Sequence, residues 1–177
     1  FIDTGAEADL YFVIDNDDVL WRNYVKEEDA KNYRCLPADN KTGGCAKSLN
    51  DGAVRLLDIT AFPLYDYFIF MGDDHLPITA GWDTKLCEAI GKEAGIAYGN
   101  DLLQGENLPT AVVMSSKIIR ATGFMSPPAL KHLFLDNYWL AMGNALENVN
   151  YLPEVIIEHM HYTNGKAAHD DRYAAVN

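Results

Sequence analysis

Two carboxylates and an imidazole stand together at Asp73, Asp74 and His75, one glycine after the large apolar residues at 67–71. A short run of aromatic and β-branched residues predicts a strand that is buried on both faces. Like charges crowded into so few residues are unfavourable unless a cation or a proton relieves them. We interpret the triplet as a metal site. The alternative is an acidic turn with a solvated histidine.

Two further groups of polar residues follow apolar runs: Asp15 with Asp17 and Asp18 after residues 10–14, and His159 with His161 after residues 155–157. The ends of parallel strands converge on one edge of a sheet, where open α/β sheets bind ligands. The three groups are therefore expected to share one crevice. In an extended segment both histidines lie on one face, and the alternative for this pair is a histidine-rich strand end at the surface.

Carboxylates and imidazoles together form a mixed set of oxygen and nitrogen ligands. Such a set suits Mn²⁺ well and Mg²⁺ acceptably. Zinc would also bind it, but no thiolate is placed nearby to strengthen that case. The predicted metal ligands are Asp73, Asp74, His75, His159 and His161.

Asp136 is a separate candidate, because apolar and aromatic residues surround it in the segment 134–139. A carboxylate among such neighbours is partly desolvated, which makes it a better general base. The alternative is an aspartate that caps the following helix, predicted at 136–146. The two roles are compatible.

The elements that must position these groups alternate along the chain. Strands are predicted at 10–14, 67–71, 96–99, 111–115 and 155–157, and helices at 45–57, from Trp82 to Gly91, at 116–122, from Pro127 and at 136–146. Asp83 is the predicted N-cap of the second helix. This alternation favours one α/β domain over 1–177 with a mostly parallel central sheet. Its ordered core is predicted at about 10–162, with a polar tail at 163–177.

The bulk composition narrows the class of partner. A net charge of −12 with 14 scattered Lys and Arg residues makes nucleic acid an improbable partner. A small anionic ligand held through a divalent cation is compatible with that charge. Three distant cysteines predict neither a disulfide framework nor a zinc site, and favour a reducing, cytoplasmic location. No apolar run approaches membrane-spanning length.

The order of these features resembles the GT-A fold nucleotide-sugar glycosyltransferases, in particular the family 2-like group. Asp15 matches the acid that contacts the nucleoside in that family, and residues 73–75 match its D-x-D motif, which binds Mn²⁺ or Mg²⁺ with the sugar diphosphate. Residues 44–52 are similar to the family's Gly-x-x-x-x-x-Asn-x-Gly helix under the nucleotide. Residues 76–83 resemble the family's Pro…Gly-Trp continuation after the metal motif.

The resemblance runs from about Leu10 to His161 and implies a single Rossmann-like GT-A domain whose N-terminal strand is missing before Phe1. It implies donor-binding residues, a general base and a late histidine ligand: Asp15, Lys47, Asn50, Asp73 and Asp74 for the donor, Asp136 as base, and His159 or His161 for the metal. The third motif position is His75 rather than Asp, which leaves the assignment of metal ligands within 73–75 open.

The implied reaction is metal-dependent transfer of a sugar from a nucleotide-diphosphate donor to an acceptor hydroxyl, with inversion. A UDP-sugar is the donor expected first, although the sequence does not identify the nucleobase. Two alternatives remain open at this point. One is a metal-dependent nucleotidyltransferase, and the other is a non-catalytic GT-A-like module with a binding or structural role.

Overall fold

The computed structural model describes residues 2–15, 34–38, 44–58 and 65–168. Within these ranges the strands are β1 (Tyr11–Asp15), β2 (Arg34–Ala38), β3 (Tyr67–Phe70), β4 (His75–Pro77), β5 (Ile96–Asn100), β6 (Val112–Ser115) and β7 (Val149–His159). The α-helices there are α1 (Gly44–Asp58), α2 (Trp82–Ile90), α3 (Ser116–Thr122) and α4 (Leu135–Ala145). The predicted tail is described only as far as residue 168.

The central sheet is mixed, with strand order β3-β6-β5-β7-β4, while β1 and β2 form a separate parallel pair. Only the β5–β7 contact is parallel among the pairings of the larger sheet, since β3–β6, β5–β6 and β4–β7 are antiparallel. The prediction of a mostly parallel sheet is therefore wrong. A parallel neighbour needs a long crossover, usually a helix, and only a short 3₁₀ turn at Gly105–Asn107 lies between β5 and β6.

Three strands of this sheet nevertheless run in one direction. Both β3 and β5 are antiparallel to β6, so they point the same way, and β5 is parallel to β7. The C-terminal ends of β3, β5 and β7 therefore lie on one side of the sheet. We call this side, with residues 72–75, 100–101 and 159, the carboxyl edge.

Helices cover both faces of the sheet. One core contains the buried side chains of α2, namely Trp82, Leu86 and Ile90, packed with Val113 and Ile157. The other contains residues of α1, α3 and α4 with Phe68, Ile96, Val112 and Met114. Val112, Val113 and Met114 alternate between these cores, as successive strand residues must.

The orientation of α4 matters for the site. Near its C-terminal end Gly143 lies against Ile96 and Val149, at the starts of β5 and β7. Nearer its N-terminal end the ring of Trp139 packs against Phe70, the last residue of β3, with ring centroids 5.2 Å apart. Helix α4 thus runs opposite to these strands, and its N-terminus lies at the carboxyl edge.

Most predicted helices are confirmed, but two local predictions are wrong. Asp83 does not cap α2, whose N-cap is Gly81; the buried Asp83 carboxylate instead accepts hydrogen bonds from the backbone N–H groups of Glu7 (2.7 Å) and Ala8 (2.8 Å). No helix begins at Pro127, because residues 127–134 form turns. No helix in the described ranges has the length and apolar character needed to cross a membrane.

Candidate metal centre

The pairing of β4 with β7 brings the distant histidines together. His75 lies directly opposite His159 in the antiparallel register. Their rings stack, with centroids 4.2 Å apart and an interplanar angle of 19°. The carbonyl of Asp74 accepts a hydrogen bond of 2.7 Å from the backbone N–H of Met160, which fixes the turn before β4 against the end of β7.

The Asp74 carboxylate lies between the two imidazoles. Its Oδ2 is hydrogen-bonded to His159 Nε2 at 3.0 Å, and its Oδ1 lies 3.0 Å from His75 Nδ1. One ligand atom from each of Asp74, His75 and His159 lies within 4.8 Å of the others. We call these three residues the ligand triad.

The imidazoles of the ligand triad are incompletely satisfied. Both ring nitrogens of His75 and Nδ1 of His159 are buried, and none has a properly aligned hydrogen-bond partner among the described residues. The His75 side chain is only 4% exposed. A buried polar atom without a partner costs about 1–3 kcal/mol, so native proteins rarely leave one. A cation that accepts an imidazole nitrogen as ligand would remove this cost, so the residues present fit a metal ion.

Neighbouring charges shift the pKa values of Asp74 and His159 in opposite directions. Burial opposes the charge of Asp74, but the neighbouring His159 and His75 outweigh it and lower its pKa. Burial also opposes the charge of His159, yet Asp101 and Asp74 together raise its pKa to about 9. Without a metal, His159 therefore carries a proton between two carboxylates at neutral pH. The proton supplies the positive charge that a metal ion would otherwise supply between these carboxylates. The alternative to a metal site is therefore a purely structural ion pair.

Asp101 is a site residue that the sequence analysis missed. It follows β5 and is 3% exposed. Its Oδ2 accepts a hydrogen bond from the Thr110 hydroxyl at 2.8 Å and lies 3.7 Å from His159 Nδ1. Its Oδ1 accepts three backbone N–H groups, those of Leu103, Gln104 and Gly105. The pattern of an apolar run followed by an acid, which identified Asp15 and Asp73, also occurs here.

Asp73 and His161 lie beside the ligand triad rather than within it. The ring centroid of His161 is 5.1 Å from that of His159, and its Nδ1 is hydrogen-bonded to the Thr163 hydroxyl at 2.8 Å. Asp73 is exposed. Burial raises the pKa of the Cys45 thiol to about 11, and the charges of Asp15 and Asp73 contribute to this shift. Both acids therefore lie near that thiol.

The residues of β1 and α1 that were predicted to contact the donor already have partners in the protein. Asp15 Oδ1 accepts a hydrogen bond of 2.8 Å from the Ser48 hydroxyl. Lys47 forms an ion pair of 2.6 Å with Asp51, one helical turn further along. Asp15, the last residue of β1, is thus bonded to α1, and the Lys47 ammonium is paired with a carboxylate of the same helix.

The Asn50 side chain makes three hydrogen bonds within the protein. Its Oδ1 accepts the backbone N–H groups of Met125 and Ser126, each at 2.9 Å. Its Nδ2 donates to the carbonyl of Ser126 at 2.7 Å. These three hydrogen bonds hold the loop after α3 against α1.

Asp136 lies in the first turn of α4, at the carboxyl edge. The N-cap of this helix is Phe134, in a left-handed conformation with φ 70°, and no side chain caps the helix. Among the described residues, the Asp136 carboxylate accepts a hydrogen bond from the N–H of the adjacent Asn137, at 2.9 Å. A negative charge is favourable at this end of a helix. Asp136 is therefore not the N-cap of α4, and that alternative is wrong.

Gly72 is a second residue of the site that the sequence motif did not identify. A Cβ at this position would lie 2.6 Å from Asp74 Oδ1 and 2.9 Å from His75 Nδ1. Such distances are shorter than van der Waals contact, so a side chain here would push against the ligand triad. The turn between β3 and β4 therefore requires glycine because the triad is adjacent.

Comparisons with known proteins identify no relative: no family model, no curated protein and no solved structure matches the chain. The resemblance to GT-A glycosyltransferases therefore rests on the sequence motifs alone. The contacts described above define a candidate metal centre independently of it.

Proposed function

We propose that this chain is a metal-dependent glycosyltransferase that moves a sugar from a nucleotide-diphosphate donor to an acceptor hydroxyl. The observation that carries the proposal is the ligand triad at the edge where three co-directional strands end. Its buried imidazole nitrogens lack aligned partners among the residues that the structure describes. This edge is where open sheets with such strand directions bind ligands.

The triad supplies one carboxylate and two imidazoles. Mn²⁺ accepts both kinds of ligand, whereas Mg²⁺ prefers oxygen ligands. We therefore favour Mn²⁺ as the ion that Asp74, His75 and His159 would hold. When bound, a divalent cation would stabilise the negative charge that develops on a leaving diphosphate.

The N-terminus of α1 supports the donor side of the proposal. Asp15 and Asp73 both lie near Cys45, the second residue of this 15-residue helix. Helix N-termini favour phosphate groups, and the resemblance implies that Asp15 contacts the nucleoside. A UDP-sugar is the donor we propose first.

Asp136 is the residue that we propose as general base. The orientation of α4 puts it at the carboxyl edge, and within the described part of the chain its carboxylate accepts only the N–H of Asn137. It would take the proton from the acceptor hydroxyl as that oxygen attacks the sugar from the face opposite the diphosphate. Attack in one step inverts the anomeric centre.

A thermal-shift screen of nucleotide sugars, with Mn²⁺ and with EDTA, tests donor binding. We expect stabilisation by a nucleotide sugar only when Mn²⁺ is present. Analysis of the products then separates the alternatives, because a glycosyltransferase releases a nucleoside diphosphate and a nucleotidyltransferase releases pyrophosphate. Absence of binding for every donor would favour a non-catalytic module.

Replacing Asp136 by Asn tests the base. Turnover should fall by roughly 10²–10⁴, which is the usual contribution of a general base. Donor and Mn²⁺ affinity should remain unchanged, because Asp136 lies outside the ligand triad. A folded variant that loses donor binding instead would contradict this role.

A further inference from the structure

Asp101 contacts the ligand triad from the side opposite Asp74. His159 presents Nε2 to Asp74 Oδ2 at 3.0 Å and turns Nδ1 toward Asp101 Oδ2, 3.7 Å away. His159 Nδ1 is buried and has no hydrogen-bond partner among the described residues. The carboxylate of Asp101 is thus the acceptor that this nitrogen faces, just beyond hydrogen-bond distance.

Asp101 is itself held rigidly. Three backbone N–H groups, at 2.7–2.9 Å, fix one carboxylate oxygen, and the Thr110 hydroxyl contacts the other. The backbone N–H of His159 also donates to the carbonyl of Asp101 at 3.0 Å. The main chains of the two residues are therefore joined independently of the Asp101 side chain.

We propose that Asp101 is a positioning residue that holds a proton on His159 Nδ1, so that the nitrogen facing Asp74 is left to bind the metal. An imidazole that ligates a metal usually donates its other N–H to a carboxylate or carbonyl, which fixes the ring and the tautomer. This inference rests on the proposed metal centre. It adds Asp101 as the residue that orients one of its ligands.

The variant Asp101→Asn tests the proposal with little change of shape. Its amide oxygen must stay toward the three backbone N–H groups, so its NH₂ group faces Thr110 and His159. That group donates rather than accepts, and it favours the tautomer in which His159 Nδ1 has no proton. The proton then lies on the nitrogen that faces Asp74, which blocks ligation.

Isothermal titration with Mn²⁺ alone should show affinity weakened about 10–100-fold in Asp101→Asn, the usual effect of losing such a partner. The matched control is Thr110→Val, which removes the hydroxyl bond to the same carboxylate and should leave Mn²⁺ affinity unchanged. If Asp101 merely holds the loop at 101–110, both variants should lower the melting temperature and neither should weaken Mn²⁺ binding. That outcome would overturn the proposal.

NMR of ¹⁵N-histidine-labelled, metal-free protein gives a readout that does not depend on the ion. Wild type and Thr110→Val should show a His159 Nδ1 proton protected from exchange, and Asp101→Asn should lose it. A proton that persists in Asp101→Asn would overturn the role of Asp101. If wild type binds no Mn²⁺ while this proton behaves as expected, the metal centre and proposed function fail, but the orientation of His159 by Asp101 stands.

Discussion

The ligand triad and the polar side chains of α1 are both predicted from the sequence to bind ligand, yet the protein satisfies them to different degrees. In the triad, His75 has two buried ring nitrogens without aligned partners in the described ranges of the chain. On α1, Asn50 makes three hydrogen bonds to a loop, and Lys47 is paired with Asp51. A motif shows which residue types are present. The contacts show which of them remain available to a ligand.

The largest expected difference between the two regions is in metal affinity. Asp74→Ala removes the carboxylate that both imidazoles contact, so Mn²⁺ affinity should fall more than about 100-fold, beyond the effect of losing an outer partner. The matched control is Asp51→Ala on α1, which should leave the affinity unchanged. Calorimetric titration of both variants measures the difference, with Asp74→Asn as a second variant of nearly unchanged shape. Equal affinities in all of these proteins would remove the distinction between the regions.

The second expected effect is a dependence of Mn²⁺ affinity on pH. The pKa of His159 is raised to about 9, and Mn²⁺ must displace the proton. Affinity should therefore rise about tenfold per pH unit, or roughly 100-fold between about pH 6.5 and 8.5. His159→Gln should abolish this slope, and His132→Gln, at an exposed histidine, should keep it.

The same pKa shift has a consequence for metal-free stability, with a defined sign. A group whose folded pKa is raised stabilises the protein fully below its unfolded pKa, about 6.5 for histidine. This stabilisation is lost as the pH rises toward about 9. Denaturant unfolding across this window should show the loss in metal-free wild type and not in His159→Gln. A flat profile in wild type would contradict the charge assigned to His159.

Gly72→Ala should have a smaller effect on the metal site. Its Cβ would lie 2.6 Å from Asp74 Oδ1, and the turn must shift to relieve the contact. We expect destabilisation of about 1–3 kcal/mol, typical of overpacking, with Mn²⁺ affinity reduced roughly tenfold because a shift of the ligands resembles the loss of an outer partner. In Gly143→Ala the new Cβ would lie equally close, 2.6 Å from Ile96 Cγ1 in the core. That control should destabilise the fold without weakening Mn²⁺ binding.

The smallest effects on metal affinity are expected on α1. Asn50→Ala leaves two backbone N–H groups and a carbonyl without their partner, and should cost about 1–3 kcal/mol of unfolding free energy. Lys47→Ala breaks a partly exposed pair and should cost less than about 1 kcal/mol. Neither should change Mn²⁺ affinity. An Asn50→Ala protein of normal stability that binds nucleotide sugar weakly would instead support the donor role that the resemblance implies.

Local features of the fold were predictable from the sequence. Apolar runs identified strands such as β3 and β6, periodic apolar residues identified α1, and an aromatic-rich segment identified α4. Strand direction was not predictable in this way, because pairing depends on contacts between distant segments. The three-residue strand β4 gives no periodic signal of its own, and only its register with β7 places His75 opposite His159.

The candidate site was also predictable from the sequence only in part. Asp74, His75 and His159 were predicted as ligands and meet in the structure, since β3 and β7 end on one side of the sheet. Asp73 and His161 were predicted with them but lie beside the triad. Asp73 is in the turn before β4, where it is exposed. His161 lies beyond the end of β7 at His159 and caps a 3₁₀ turn, so the strand alternation that would put it on the face of His159 no longer applies. Asp101 was missed because the strand before it was expected to end at residue 99, in front of a loop. Its environment of three backbone N–H groups depends on the folded loop.

The central claim is that Asp74, His75 and His159 together hold a divalent cation. Anomalous diffraction from a crystal of the protein soaked in Mn²⁺, recorded on both sides of the manganese absorption edge, locates the ion directly. We predict a peak within coordination distance of all three side chains, which disappears in Asp74→Ala. A well-ordered triad with no anomalous peak, and with His159 Nε2 still bonded to Asp74, would contradict the claim and leave a structural ion pair in its place.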